Sequence, residues 1–153
     1  MWIKRFVILL GLVTLFTGCS ADQISMDNFT MASAGSSTDR GVRYLLGRGV
    51  PQNSEKAFYY FHQAANNDDP FAENEVAYMY ATGEGTTQNY GEAFKWYQRA
   101  ANHDLASAQY NLGLFYLYGL GTESNKALAI KWFQKSANHG FEPARVALAR
   151  YQS

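Results

Sequence analysis

Cysteine is nearly missing from this chain of 153 residues: Cys19 is the single one. One cysteine closes no internal disulfide, so no disulfide framework supports the fold. With only 3 histidines beside it, a structural zinc site has too few ligands. An excess of one charge is missing too, since 13 Lys plus Arg balance 13 Asp plus Glu. That balance lacks the basic footprint of a nucleic-acid binder. Catalytic signatures are equally scarce. No Gly-x-Ser-x-Gly elbow is present, and no glycine loop leads into a Walker-type Lys-Ser/Thr. Glu73 and Glu75, two apart, face different sides of a helix, while Asp68, Asp69 and Asp104 fall in loops. No acid/base pair results. The expectation is therefore no enzyme, no metal, no cofactor and no nucleic-acid partner. What the chain does have is aromatic residues: 11 Tyr, 10 Phe and 3 Trp.

The amino terminus reads as an export leader, residues 1–18. Lys4-Arg5 supply its positive region, and Phe6 to Phe16 form an apolar run. That run is shorter than the roughly 20 apolar residues of a membrane-spanning helix. Leu15-Phe16-Thr17-Gly18-Cys19 resembles a lipobox, where bacteria attach diacylglycerol to the cysteine and cleave before it. A lipobox usually carries Leu three places before the Cys; here Phe16 stands there and Leu15 one place earlier. The resemblance implies lipidation at Cys19 and stable anchoring through more than one acyl chain. By the lipoprotein sorting rule, Ser20 in place of Asp implies the outer membrane, facing the periplasm. The alternative is an ordinary secretory leader cleaved after Cys19-Ser20-Ala21, giving a secreted or periplasmic soluble protein.

Residues 19–40 read as a flexible tether. Ser, Thr, Asn, Asp and Ala dominate without a sustained period, so too little apolar surface is available to offset ordering entropy. Ile24, Met26, Phe29 and Met31 are its apolar exceptions and a conceivable partner-binding segment.

From residue 41 onward the chain repeats itself. Gly47, Gly83 and Gly119 stand 36 residues apart, as do Gly49, Gly85 and Gly121. Tyr44, Tyr80 and Tyr116 follow the same step, and so do Ala57, Ala93 and Ala129. Tyr60, Trp96 and Trp132 recur, then Phe61, Tyr97 and Phe133, then Ala65, Ala101 and Ala137. Each unit holds two helical stretches. In the first, apolar or small residues at 108, 112, 115 and 116 share one face. Gly-x-Gly ends it, because glycine accepts the left-handed conformation of a helix C-cap. Asn53, Asn89 or Asn125 then caps the second helix, with Glu92 completing a capping box on Asn89. Gly113 and Ala77 lie mid-helix, where Gly costs about 1 kcal/mol against Ala. Close approach of a neighbouring helix explains them. The aromatics at 80, 96, 97, 116, 132 and 133 fill the core between.

This pattern resembles the Sel-one-like repeat (SLR) family, relatives of tetratricopeptide repeats, most clearly at Leu112-Gly113 with Tyr116, Gly119, Gly121, Ala129, Trp132, Phe133 and Ala137. The resemblance covers residues 41–151 and implies an all-α fold, an α/α solenoid of stacked helix hairpins. Its expected divisions are a partial unit 41–69, full units 70–104 and 105–140, and a capping helix 141–151. Arg40 and Arg43, where Val76 and Met79 stand one unit later, mark the first helix as degenerate. His103 and His139 fall at equivalent helix ends, suited to the dipole; His62 aligns with Gln98 and Gln134, an exposed position.

Recurring aromatics belong to the core, so non-recurring positions are the better binding candidates. On the first helices these are Glu75, Tyr78, Thr82, Asn111, Leu114, Tyr118 and Arg150. In the family the first helices line the concave face, which makes these residues a candidate groove for a protein or peptide partner. The resemblance implies a membrane-anchored scaffold in the bacterial envelope. An alternative is binding of cell-wall or exported polysaccharide, with Tyr78 and Tyr118 as stacking platforms. A cysteine-rich branch of the family, associated with β-lactam binding or hydrolysis, carries a cysteine pair in each repeat. Residues 41–153 carry none, which sets that enzyme reading apart as remote.

Overall fold

The computed structural model describes residues 35–151. The leader, Cys19 and most of the segment read as a tether lie outside the described residues. Seven helices and no strand occupy them: α1 (Ser37–Leu46), α2 (Ser54–Ala65), α3 (Pro70–Thr82), α4 (Tyr90–Asn102), α5 (Ala106–Tyr118), α6 (Lys126–Asn138) and α7 (Glu142–Tyr151). Each packs chiefly on the helices before and after it, giving three hairpins and a terminal helix.

The helix boundaries follow from capping chemistry. Asn53, Asn89 and Asn125 each accept a backbone N–H three residues on, at 2.8, 3.1 and 3.0 Å. This satisfies one of the donors left over at a helix start. The capping box expected at Asn89 forms only that arm, because Glu92 pairs with Lys95 at 2.7 Å instead. Gly47, Gly83 and Gly119 end the first helices in the left-handed conformation. The loop then closes on a fixed bond. The N–H of Asn53, Asn89 and Asn125 donates to the carbonyl of Tyr44, Tyr80 and Tyr116, at 2.9, 2.8 and 2.7 Å.

Two expectations about the start of the array are corrected. The first helix begins at Ser37, inside the segment read as tether through residue 40. Ser36 accepts from the Asp39 N–H at 3.1 Å while the Asp39 carboxylate accepts from the Ser36 N–H at 3.0 Å, a capping box. Those hydrogen bonds hold the Asp39 carboxyl below its ordinary pKa. The first unit is thus a complete hairpin and not the partial unit 41–69. Arg40 does not degrade it, for its guanidinium lies 5.6 Å from the Tyr60 ring centre.

The core lies between the two helices of each hairpin and between hairpins. Ala57, Ala93 and Ala129 are fully buried, as are Phe61 and Phe133, with Tyr97 nearly so. Small residues opposite them set the spacing. A Cβ on Gly41 would fall 2.7 Å from the Phe61 ring, and one on Gly113 2.6 Å from the Phe133 ring. Among the aromatics expected in the core, Trp96, Tyr97 and Phe133 are buried. Tyr80, Tyr116 and Trp132 are half-buried along its edge.

The second glycine of each Gly-x-Gly has a job of its own. Gly85 and Gly121 have φ of +69° and +65°, and a Cβ on either would come within 2.2 Å of a carbonyl oxygen, that of Ser54 or Tyr90. Those carbonyls open the second helix of the preceding hairpin. The glycine is where one repeat locks onto the last, and the Ser54 hydroxyl donates to Glu84 there at 3.0 Å.

Candidate functional site

Two places on the solenoid gather polar chemistry. The first is a buried junction between hairpins. Glu73, one turn into α3, is completely buried. Its Oε1 lies 3.0 Å from Arg99 Nη2, and its Oε2 lies 3.9 Å from His103 Nε2. Both carboxylate oxygens lack a well-aligned hydrogen bond, so Arg99 balances them by charge. Arg99 also donates to the Ala65 carbonyl at 3.2 Å and to Asp68 at 3.0 Å, and stacks 4.5 Å from the centre of the Trp96 ring. Burial pushes the Glu73 carboxyl above its ordinary pKa, against the pull of Arg99 and His103.

Asp68, Glu73 and His103 bring ligand atoms within 4.8 Å of one another, a spacing that could suit a metal ion. The Arg99 guanidinium already supplies the cation there. The next junction repeats the layout with a neutral amide. Gln109 donates to the Ala101 carbonyl at 3.3 Å and to Asp104 at 3.2 Å, and His139 Nδ1 lies 3.0 Å from its Oε1. A position filled by Glu in one repeat and Gln in the next points to structural work. Gln109 ties the left-handed loop residue Asp104 directly, whereas Asp68 is joined to Glu73 only through Arg99, which pairs with both. His62 departs from its expected exposure. It is half-buried, with its ring 5.7 Å from Phe58 and 5.4 Å from Trp96, because the Trp96 ring of the next hairpin reaches it.

The second place is the run of side chains on the first helices α3, α5 and α7. Glu75 is half-buried and accepts from Asn74 Nδ2 at 3.1 Å. Burial raises its pKa, and nearby Glu84 adds to the effect. Asn111 donates to Asn74 Oδ1 at 3.3 Å, so Glu75 and Asn111 join one polar chain across two repeats. Tyr78 is exposed, and Thr82 donates to its carbonyl at 3.0 Å. Leu114, Tyr118 and Arg150 come together around one pocket of about 140 Å³ between α5 and α7. Glu75, Tyr78, Thr82 and Asn111 do not line it.

Tyr118 is the most exposed large side chain here, at 62%, and its hydroxyl lies 3.4 Å from that of Tyr151. That hydrogen bond raises the Tyr118 pKa and lowers that of Tyr151, which Arg150 lowers further. Reasoning from sequence missed Tyr110, Pro143, Val146 and Tyr151, which also line the pocket. The available signal was the row 74, 110, 146, which reads Asn, Tyr, Val and does not recur either. On the last helix the sequence points to Arg150 alone, although Pro143, Val146, Ala147 and Tyr151 of that helix also form the wall. Among the described residues no helix is long and apolar enough to cross a membrane.

Helix hairpins repeating every 36 residues and stacked in sequence define an all-α repeat protein of the α/α solenoid class. The chain belongs to the Sel1 repeat family, matching it three times over residues 38–69, 70–105 and 106–141. A Sel1 repeat protein from Oxalobacter formigenes shares 34% identity at a TM-score of 0.70, over 82% of this chain and 96% of that one. A protective antigen of uropathogenic Escherichia coli with an SLR fold shares 32% identity at a TM-score of 0.67, over 68% of this chain. The match spans only 22% of that antigen. Cysteine-rich protein B of Helicobacter pylori aligns at a TM-score of 0.64 over 82% of this chain and 88% of its own. At 18% identity it shows the fold alone. No curated protein matches the chain. The matching family is a repeat family, and no catalytic family is indicated.

Proposed function

We propose that this chain is a lipid-anchored scaffold that binds a protein or peptide partner in the bacterial envelope with the side chains of its first helices. The observation that carries the reading is the pocket between α5 and α7. Leu114, Tyr118 and Arg150, chosen because they break the repeat, share it. Repeat arrays offer extended surface rather than a reaction centre. Tyr and Arg are the residue types that dominate binding energy at interfaces. Exposed Tyr78, two helices away, extends the same surface. The leader and Cys19 supply the anchor in this reading, with the outer membrane as its site and the solenoid facing the periplasm.

Crosslinking in intact bacteria tests the binding claim, comparing wild type with Tyr78→Ala/Tyr118→Ala. The expected result is a discrete protein partner that is lost in the double variant. Recovery of glycan fragments in place of protein would favour the polysaccharide reading, in which the two exposed tyrosines stack on sugar rings. Fractionation of Cys19→Ser tests the anchor: the variant should leave the membrane fraction. An unaltered distribution would leave the ordinary secretory leader as the better account.

A further inference from the structure

We propose that the surface of α3 takes an arginine side chain from the partner, its guanidinium laid between the Glu75 carboxylate and the exposed ring of Tyr78. This rests on the partner-binding reading and specifies the chemistry of the partner. Glu75 and Tyr78 stand three apart on α3, a spacing that puts both on one helix face. The equivalent pairs on the other first helices are Asp39 with Val42, Asn111 with Leu114 and Ala147 with Arg150. A carboxylate beside an aromatic ring therefore occurs at α3 alone. Asp39, the other carboxylate of that row, is already engaged by the Ser36 cap.

Burying a carboxylate is costly unless a cation or several hydrogen bonds offset the lost water. Glu75 is half-buried, and among the described residues its donor is the Asn74 amide at 3.1 Å. Asn74 is itself buried and accepts from Asn111 at 3.3 Å, so that donor is fixed in place. The charge that acts on Glu75 is that of Glu84, which has the same sign and, with burial, raises the Glu75 pKa. Tyr97 closes the group from α4. Burial raises its phenol pKa, and Glu75 and Tyr78 are near enough to raise it further.

The protein itself shows what completes such an arrangement. Arg99 lies 3.0 Å from the Glu73 carboxylate and 4.5 Å from the centre of the Trp96 ring. Glu75 offers the carboxylate of that arrangement and Tyr78, 48% exposed, offers the ring. The partner supplies the guanidinium. Arginine suits both at once, because its plane forks onto a carboxylate and stacks on an aromatic face, which the compact ammonium of lysine does less well. An acidic partner residue meets Glu75 and Glu84 and is repelled.

The probes are N-acetylated, C-terminally amidated Gly-Ser-Arg-Ser-Gly peptides with Arg kept or replaced by citrulline, Lys or Glu. Citrulline keeps the shape of arginine and loses its charge. Titration into the full chain in detergent micelles at low salt is followed by NMR through the side-chain amides of Asn74 and Asn111. The arginine peptide should shift both amides and bind at least about fivefold more tightly than the citrulline and glutamate peptides. Lysine should fall between. Glu75→Gln should make arginine and citrulline bind alike, and Tyr78→Leu should narrow the gap between arginine and lysine, both with a melting curve near wild type. Equal binding of arginine and citrulline, equal binding of arginine and lysine, no shift at Asn74 and Asn111, or indifference to Glu75→Gln overturns the proposal. If the peptides fail while Tyr78→Ala/Tyr118→Ala still removes the crosslinked partner, the arginine chemistry is wrong and the scaffold reading stands. If both fail, the first helices are not the binding surface.

Discussion

Glu73 and Gln109 occupy the same place in successive repeats, and the difference between them is a charge held in a buried site. Desolvation raises the Glu73 pKa above its unfolded value, so the folded state holds the proton more tightly. Stability contributed by this group is then fully present below the unfolded value of about 4.5 and is lost as pH rises toward the folded pKa. Glu73→Gln removes that loss and copies the amide that the second junction already uses. The variant should melt higher than wild type at pH 7, and the gap should narrow as pH falls to 4. A lower melting temperature at pH 7 would mean that the Arg99 pairing outweighs the burial cost. None of this was readable from sequence. Glu73 and Glu75 look alike as letters, yet one is sealed in a junction and the other lies half-buried on the candidate surface of the first helices. Only the placement of Ala65, Asp68 and Arg99 around Glu73 separates them.

At the scale of the element, capping and glycine chemistry were largely legible. Asn53, Asn89 and Asn125 start the second helices as their side chains dictate, and Gly47, Gly83 and Gly119 end the first ones. Ser36 was missed because Ser36-Ser37-Thr38-Asp39 closes a Ser/Thr-rich stretch, where a capping box looks like more of the same composition. The tight role of the second glycine was also hidden. A Gly-x-Gly reads as a turn, whereas contact with the previous hairpin is a matter of three dimensions. Two substitutions separate these roles. Gly113→Ala gains helix propensity of about 1 kcal/mol, yet its Cβ meets the Phe133 ring 2.6 Å away. Overpacking should win, for a net loss of roughly 1–2 kcal/mol in denaturant unfolding. Gly119→Ala and Gly121→Ala both strain a positive φ, at roughly 1–2 kcal/mol. Gly121→Ala should cost clearly more, because its Cβ would collide with the Tyr90 carbonyl at 2.2 Å whereas the nearest atom to Gly119 is 3.2 Å away. Equal losses would remove the claim that the second glycine locks repeat to repeat.

Over the whole molecule, periodicity carried the reading. Like residues at a constant step of 36 without insertion established the fold class, and the complement of that pattern supplied the candidate surface. Subtracting what recurs located Leu114, Tyr118 and Arg150, which share a pocket. It also gathered Glu75, Tyr78, Thr82 and Asn111, which lie on the same helices outside it. The subtraction was blind to Tyr110 and Val146, because it followed three rows of the helix surface and the pocket draws on a fourth. The sequence suggests too few repeats, since Arg40 and Arg43 resemble a failing helix there, whereas both are half-buried in the fold and the Arg40 guanidinium lies over the Tyr60 ring.

The central claim is that partners meet the first helices and not the second. A photoreactive amino acid placed singly at 78, 118 and 146 on the first helices, and at 59, 95 and 131 on the second, tests it in living cells. All six positions are exposed, so the chemistry has equal access. The account predicts one and the same protein adduct from 78, 118 and 146 and none from 59, 95 and 131. An adduct formed only from the second-helix positions would contradict it.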